Sequence, residues 1–131
     1  MKTVVITRKK QFAAALVSYW IVRADLAESM PERFQTVSQA RLGLTGHPRP
    51  TLHIALLKDI GIPVGNGETV RIELPDEVQG IYAVTMDGVR SDCAALTGDH
   101  AEFRFRIVTK GGFLRPAYPV IIQERDTALS D

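Results

Sequence analysis

The chain has 131 residues, a hydrophobic fraction of 45% against 24% charged, and 16 basic against 15 acidic residues, for a formal net charge of +1. That size and balance fit one globular domain with a single core, and they exclude wholesale disorder and a global electrostatic pull toward nucleic acid or acidic lipid. Cys93 is the one cysteine, which excludes an intrachain disulfide and a cysteine-rich zinc site.

No apolar run approaches the roughly 20 residues that span a bilayer. The opening Met1-Lys2-Thr3-Val4-Val5-Ile6-Thr7 lacks the apolar core and small-residue cleavage site of a signal peptide. The expectation is therefore a bacterial-type cytoplasmic protein with no membrane partner.

Thr3 to Lys9 predicts a first strand, with Val4 and Ile6 on one face and Val5 and Thr7 on the other. Arg8-Lys9-Lys10 then reads as a solvated cluster at the strand end, since basic residues without neighbouring aromatics make a weak nucleic-acid footprint. Ala13 to Leu16 favours helix by propensity, but Val17 to Val22 is β-branched and aromatic. The reading is a loop followed by a strand from about Leu16 to Arg23, partly buried on both faces. Trp20, the single tryptophan, is a core anchor there, with a ligand-stacking platform as the sharper alternative.

Asp25 to Pro50 differs in kind, being rich in polar residues, glycine and proline. Ser29-Met30-Pro31-Glu32 resembles a helix start, with a serine cap and a proline just inside. Phe34, Val37 and Arg41 would share a face, and Gly43 or Gly46 could end the helix. This predicts at most one short helix within a long excursion between strands. His47-Pro48-Arg49-Pro50 is held extended by its prolines. Thr51 to Lys58 returns to strand character, with Leu52, Ile54 and Leu56 alternating against His53, Ala55 and Leu57.

Gly65-Asn66-Gly67 is the sharpest turn signal, because Asn-Gly supplies the positive φ that a tight hairpin needs. Glu68 to Leu74 follows as a strand with Val70, Ile72 and Leu74 inward and Arg71 and Glu73 outward. A hairpin between Ile62-Pro63-Val64 and this strand is predicted to organise the fold. Gly80 to Met86 predicts another strand, Asp87-Gly88 a turn, and Val89 to Leu96 a weak strand. Ala101 to Lys110 is the cleanest half-buried strand, with Phe103, Phe105 and Ile107 facing one way and Arg104 and Arg106 the other. Val120 to Gln123 makes the last strand.

About eight short strands punctuated by Gly, Pro and Asp turns predict an all-β fold: an antiparallel sandwich or open barrel over residues 1–124, with a frayed tail at 125–131. The order of the Ile-Thr-Arg-Lys-Lys strand, the Val-Ser-Tyr-Trp-Ile-Val strand, Gly61-Ile62-Pro63-Val64-Gly65-Asn66-Gly67-Glu68-Thr69, Ile81-Tyr82-Ala83-Val84 and Ser91-Asp92-Cys93 resembles a group of small bacterial β-sandwich domains of unknown function. The resemblance spans roughly Lys2 to Lys110 but skips Leu26 to Pro50. It implies a fold and no chemistry.

The chemical motifs are missing. There is no Gly-x-Ser-x-Gly elbow, no phosphate-binding glycine loop and no His-Glu-x-x-His. His47, His53 and His100 lack metal-ligand spacing, Asp87, Asp92 and Asp99 lack a calcium-loop pattern, and Cys93 reads as a structural thiol. No catalytic residue, metal ligand or cofactor is therefore expected. Two functions remain. One is a non-catalytic module that offers a sheet edge to a protein partner or to its own copy. The other is a binder of a small ligand or carbohydrate, or an enzyme, with Tyr19, Trp20, Tyr82 and Tyr118 around a cleft.

Overall fold

The computed structural model describes residues 1–12, 17–36, 54–86, 88–111 and 117–124. Among these the chain is predominantly β, with ten strands in two sheets and two short helices. The first sheet runs β10-β9-β1-β5, built from Tyr118–Gln123, Phe103–Lys110, Lys2–Arg8 and Thr69–Leu74. The second runs β3-β7-β6-β2-β4, built from Gln35–Thr36, Val89–Arg90, Gly80–Thr85, Tyr19–Arg23 and Gly61–Val64, with β8 (Ala94–Ala95) also on β6. The described strands do not close into a barrel. The sheets are mixed, since β1 pairs parallel with β9 and β3 parallel with β7, where alternation alone had predicted antiparallel pairing throughout.

Both layers follow from which faces are wet. In β9, Phe103, Phe105 and Ile107 are buried while Arg104 and Arg106 are exposed, as the alternation predicts. β2 and β6 are central and buried on both faces. Tyr19, Ile21, Ile81 and Ala83 point between the sheets into a core with Val4, Ile6, Ile72, Phe105 and Ile107. Trp20, Val22, Tyr82 and Val84 point the other way, into a second cluster beneath the helices. The molecule is thus layered as helices, second sheet, first sheet.

α1 (Ala24–Glu28) buries Ala24 and Ala27 on that second cluster. Its first turn is braced by a two-pronged contact of Arg23 with Asp25, at 3.1 and 2.7 Å. The helix start predicted at Ser29 is corrected: α1 ends at Glu28 with Ser29 as its C-cap, and residues 29–36 are not helical. Ser29 Oγ donates to the Leu26 carbonyl at 2.8 Å, closing the last turn, and Pro31 lies in a turn beyond it. Val37, Arg41, Gly43, Gly46 and the segment 47–50 lie outside the described residues.

The strand predicted at Thr51 to Lys58 is overturned. α2 (Ile54–Ile60) is helical, and 51–53 lie outside the described residues. Ala, Leu and Lys are good helix formers, and Leu56, Leu57 and Ile60 form one face at three- and four-residue spacing that packs on the second cluster. The two-residue alternation in this stretch was coincidental.

The Asn-Gly turn exists, but it does not make a hairpin. Glu68 N donates to the Gly65 carbonyl at 2.9 Å and Gly67 has φ 78°, while Asn66 has no positive φ, the pattern of a type II turn. β4 leaves it into the second sheet and β5 into the first. The reversal links layers because β5 finds its partner in β1, with Val4 opposite Ile72 and Ile6 opposite Val70.

Side-chain amides extend the first sheet beyond its strands at this end. Asn66 accepts from Gln11 N at 3.0 Å and donates to Gln11 O at 3.2 Å. The Gln11 side chain in turn donates to Thr109 O at 3.2 Å and accepts from Thr109 N at 2.7 Å. Each amide copies the donor–acceptor pair of a peptide, so the turn, the end of β1 and β9 stay in register. At the opposite end Lys2 Nζ donates to the carbonyls of Val78 and Leu96 at 2.6 and 2.9 Å, tying the sheets together.

Candidate functional site

Three places gather functional side chains. The first is the end of the sandwich where Arg8 lies. Its parity with Val4 and Ile6 directs it inward, and it is only 2% exposed. The solvated cluster predicted at Arg8-Lys9-Lys10 is therefore corrected for Arg8, while Lys9 and Lys10 are exposed. Nη1 donates to the Val64 carbonyl at 2.9 Å and Nη2 to the Val17 carbonyl at 2.6 Å. Cζ stands 4.3 Å from the centroid of the Tyr19 ring. Burial draws the guanidinium below its usual pKa, with Tyr19 opposing. Tyr19 OH shares a hydrogen bond with Thr109 Oγ1 at 2.9 Å, and burial raises its pKa. A cleft of about 170 Å³ opens here, lined by Arg8, Ser18, Tyr19, Trp20, Pro63 and Asn66 among others.

Tyr19 and Trp20 thus meet at one cleft, but the two residues are only 1% and 8% exposed. Both belong to cores and present little surface to a ligand. The volume is also below the roughly 300 Å³ at which small-molecule sites begin.

The second place lies on the helix side of the second sheet. Tyr82 OH donates to Glu28 Oε1 at 2.8 Å, and the Arg90 guanidinium sits 4.8 Å from the Tyr82 ring centroid. Cys93 joins this group through Tyr82. Its sulfur packs against Gly80, where a Cβ would approach Sγ to 2.5 Å. Burial pushes the thiol pKa up, and nearby Glu28 adds to this against Tyr82 and Arg90. Cys93 is nonetheless exposed as a residue, and the raised pKa disfavours its thiolate. His100, the one nearby histidine in sequence, packs its ring on Phe103 at 5.0 Å. Among the described residues no three His, Cys, Asp or Glu side chains gather to hold a metal. His47, His53 and Asp87 lie outside them.

Burial first, then the hydrogen bond to Glu28, pushes the Tyr82 pKa up to about 12, with Arg90 opposing. The fold therefore favours the neutral phenol over the unfolded reference near 10. This contribution is complete below about pH 10 and is lost as pH rises from about 10 to 12. Tyr82→Phe is expected to show a shallower loss of stability across that window than the parent, read from urea midpoints at stepped pH. Equal slopes would remove Tyr82 as the titrating group.

The third place is the edge of the first sheet. β10 pairs with β9 on one side, and among the described residues no strand pairs on the other. Glu124 N donates to the Arg104 carbonyl at 2.8 Å. With the two-residue period, Tyr118, Val120 and Ile122 also turn their peptide groups to β9, and Ile121 and Gln123 turn theirs outward. Pro119 falls in the outward set, where a missing N–H costs no ladder bond. The side chains of Val120 and Ile122 lie on the outer face beside Val108 and Arg106, and Ile122 is 41% exposed. A cleft of about 160 Å³, lined by Asp92 and Tyr118 to Ile121, runs beside this edge. Tyr118 is half-buried there, away from Tyr19, Trp20 and Tyr82. The four predicted aromatics are thus divided among three places.

Sequence reasoning missed Arg8 as an internal group, although its parity with Ile6 was the signal. It also missed β10 as an edge, which depends on strand order. No described helix is long and apolar enough to cross a membrane. Comparison with family models, with curated proteins and with solved structures finds no match for this chain.

Proposed function

We propose that the protein is a non-catalytic interaction module that binds an extended segment of another chain along β10. The observation that carries this reading is the outer side of that strand, on which no strand pairs among the described residues. Ile121 and Gln123 direct their N–H and C=O groups outward, with exposed Ile122 and a narrow cleft alongside. An added strand would satisfy those groups and cover the apolar side chains, which is how sheet augmentation gains affinity and specificity. The burial of Tyr19, Trp20 and Tyr82 supports this reading over a ligand cleft walled by aromatic rings.

Gln123→Pro tests it. Gln123 is exposed and its N–H faces away from β9, so proline removes an outward donor without breaking the β9–β10 ladder. Peptides selected from a random displayed library on the full chain are expected to bind the variant at least tenfold more weakly. Its melting temperature should stay within about 3 °C of the parent. Equal affinity for parent and variant would overturn edge binding.

A further inference from the structure

We propose that the segment bound at β10 is acidic on its outward-facing positions; this deepens the edge-binding reading and rests on it. The argument starts from β9, one strand in from the edge. Arg104, Arg106 and Lys110 stand exposed on its outer face, in a row interrupted by half-buried Val108. The register sets Lys110 beside Tyr118, Val108 beside Val120, and Arg106 beside Ile122.

The ends of the row are not equivalent. Glu102 accepts from Arg71 at 2.6 Å and from Arg104 at 2.8 Å, which places its carboxylate between two guanidiniums and holds its pKa below the usual range. Glu124 stands opposite Arg104 as well. Arg104 is therefore already balanced. Arg106 and Lys110 form no ion pair among the described residues. Two positive charges thus flank a surface of Val108, Val120 and Ile122.

An added strand would lie one spacing beyond β10 and two beyond β9, roughly 10 Å from the β9 backbone. Arg and Lys are long enough to lean across the branched Val120 and Ile122 and meet a carboxylate on such a strand. Alternate residues of the incoming segment would face this row. The intervening ones would turn toward the cleft beside Asp92, which repels a carboxylate. Charge is therefore selected on one face only, which sets register as well as affinity. A second copy of this chain fits less well: its β10 presents Tyr118, Val120 and Ile122 on that face, with Glu124 the one carboxylate beyond them.

The test uses the full chain and three end-capped, fluorescein-labelled octapeptides in which valine alternates with glutamate, with serine or with lysine. Fluorescence anisotropy is read at 50 and 300 mM NaCl. The glutamate peptide is expected to bind about tenfold more tightly than the serine peptide at low salt, with the gap shrinking at high salt. Arg106→Gln with Lys110→Gln, both at exposed positions, should abolish that gap while leaving serine-peptide binding in place. Gln123→Pro should weaken every peptide. Equal binding of the serine and glutamate peptides would overturn the acidic partner and leave edge binding standing. So would a dimer by light scattering that Gln123→Pro dissolves while no peptide binds. If no peptide binds and the chain is a monomer, edge binding falls too.

Discussion

Arg8→Ala is expected to lower the free energy of unfolding by about 3 kcal/mol, within a range of roughly 2–5. The loss has several sources. The Val64 and Val17 carbonyls lose a charged donor, and hydrogen bonds to charged groups are worth roughly 1.5–3 kcal/mol each. The contact with the Tyr19 ring goes as well, at about 0.5–2 kcal/mol. Relief of the desolvated guanidinium, visible in its lowered pKa, offsets part of this. Because a domain of this size is stable by only about 5–15 kcal/mol, the effect should be plain in a urea midpoint. Arg8→Met separates bulk from hydrogen bonding, since it fills the space but donates nothing. A methionine variant as stable as the parent would show that the guanidinium is tolerated rather than needed. Arg8→Lys should fall between, because one ammonium cannot reproduce the planar fork that reaches both carbonyls.

That end of the molecule shows what a sequence conveys and what it withholds. β9 was legible because one of its faces is dry and the other wet, so Phe103, Phe105 and Ile107 alternate visibly with Arg104 and Arg106. β2 and β6 are dry on both faces, which erases the alternation. Trp20 could then be recognised as a core anchor without showing which layer it serves, and Tyr82 could be taken for a cleft residue. Arg8 has the parity of a core position and the chemistry of a surface one, and local reasoning followed the chemistry. Of the carbonyls that receive it, Val64 is far along the chain in β4 of the other layer, and Val17 lies just before β2, outside any strand.

The turn at Gly65 to Gly67 was legible as a reversal, since Gly67 takes positive φ. Its flanking strands join different sheets because of pairings with β1 and β2, which no local signal records. α2 was misread for a related reason: over seven residues a period of two and a spacing of three or four select overlapping apolar positions. For the candidate edge, Val120 to Gln123 was read as a strand and Pro119 fits its outward side. Only strand order makes β10 terminal. The basic row on β9 was visible as alternation, but its surplus charge emerges only once Glu102 is seen to hold Arg71 and Arg104.

Trp20→Ala is expected to cost about 3–5 kcal/mol, the usual range for deleting a large buried aromatic. The indole shares its layer with Val22, Tyr82 and Val84 below and with Ala27, Phe34 and Leu57 above. It is therefore the joint between the second sheet and both helices. Gly61 shows how closely that joint is fitted. A Cβ there would come 2.8 Å from the Leu57 carbonyl and 3.1 Å from Trp20 Cβ, so α2 can turn straight into β4 only at a residue without a side chain. Removing the indole opens a cavity that this close backbone packing cannot collapse to fill, which places the expected cost toward the upper end. Trp20→Phe keeps a ring in the layer and should lose markedly less. Both are read by circular dichroism in urea, since the alanine variant has no tryptophan to report fluorescence. A ring serving as an exposed stacking platform would behave otherwise: its removal would change stability by under about 1 kcal/mol. A loss that small in Trp20→Ala would return the residue to the cleft and reopen the aromatic site as a place where a ligand stacks.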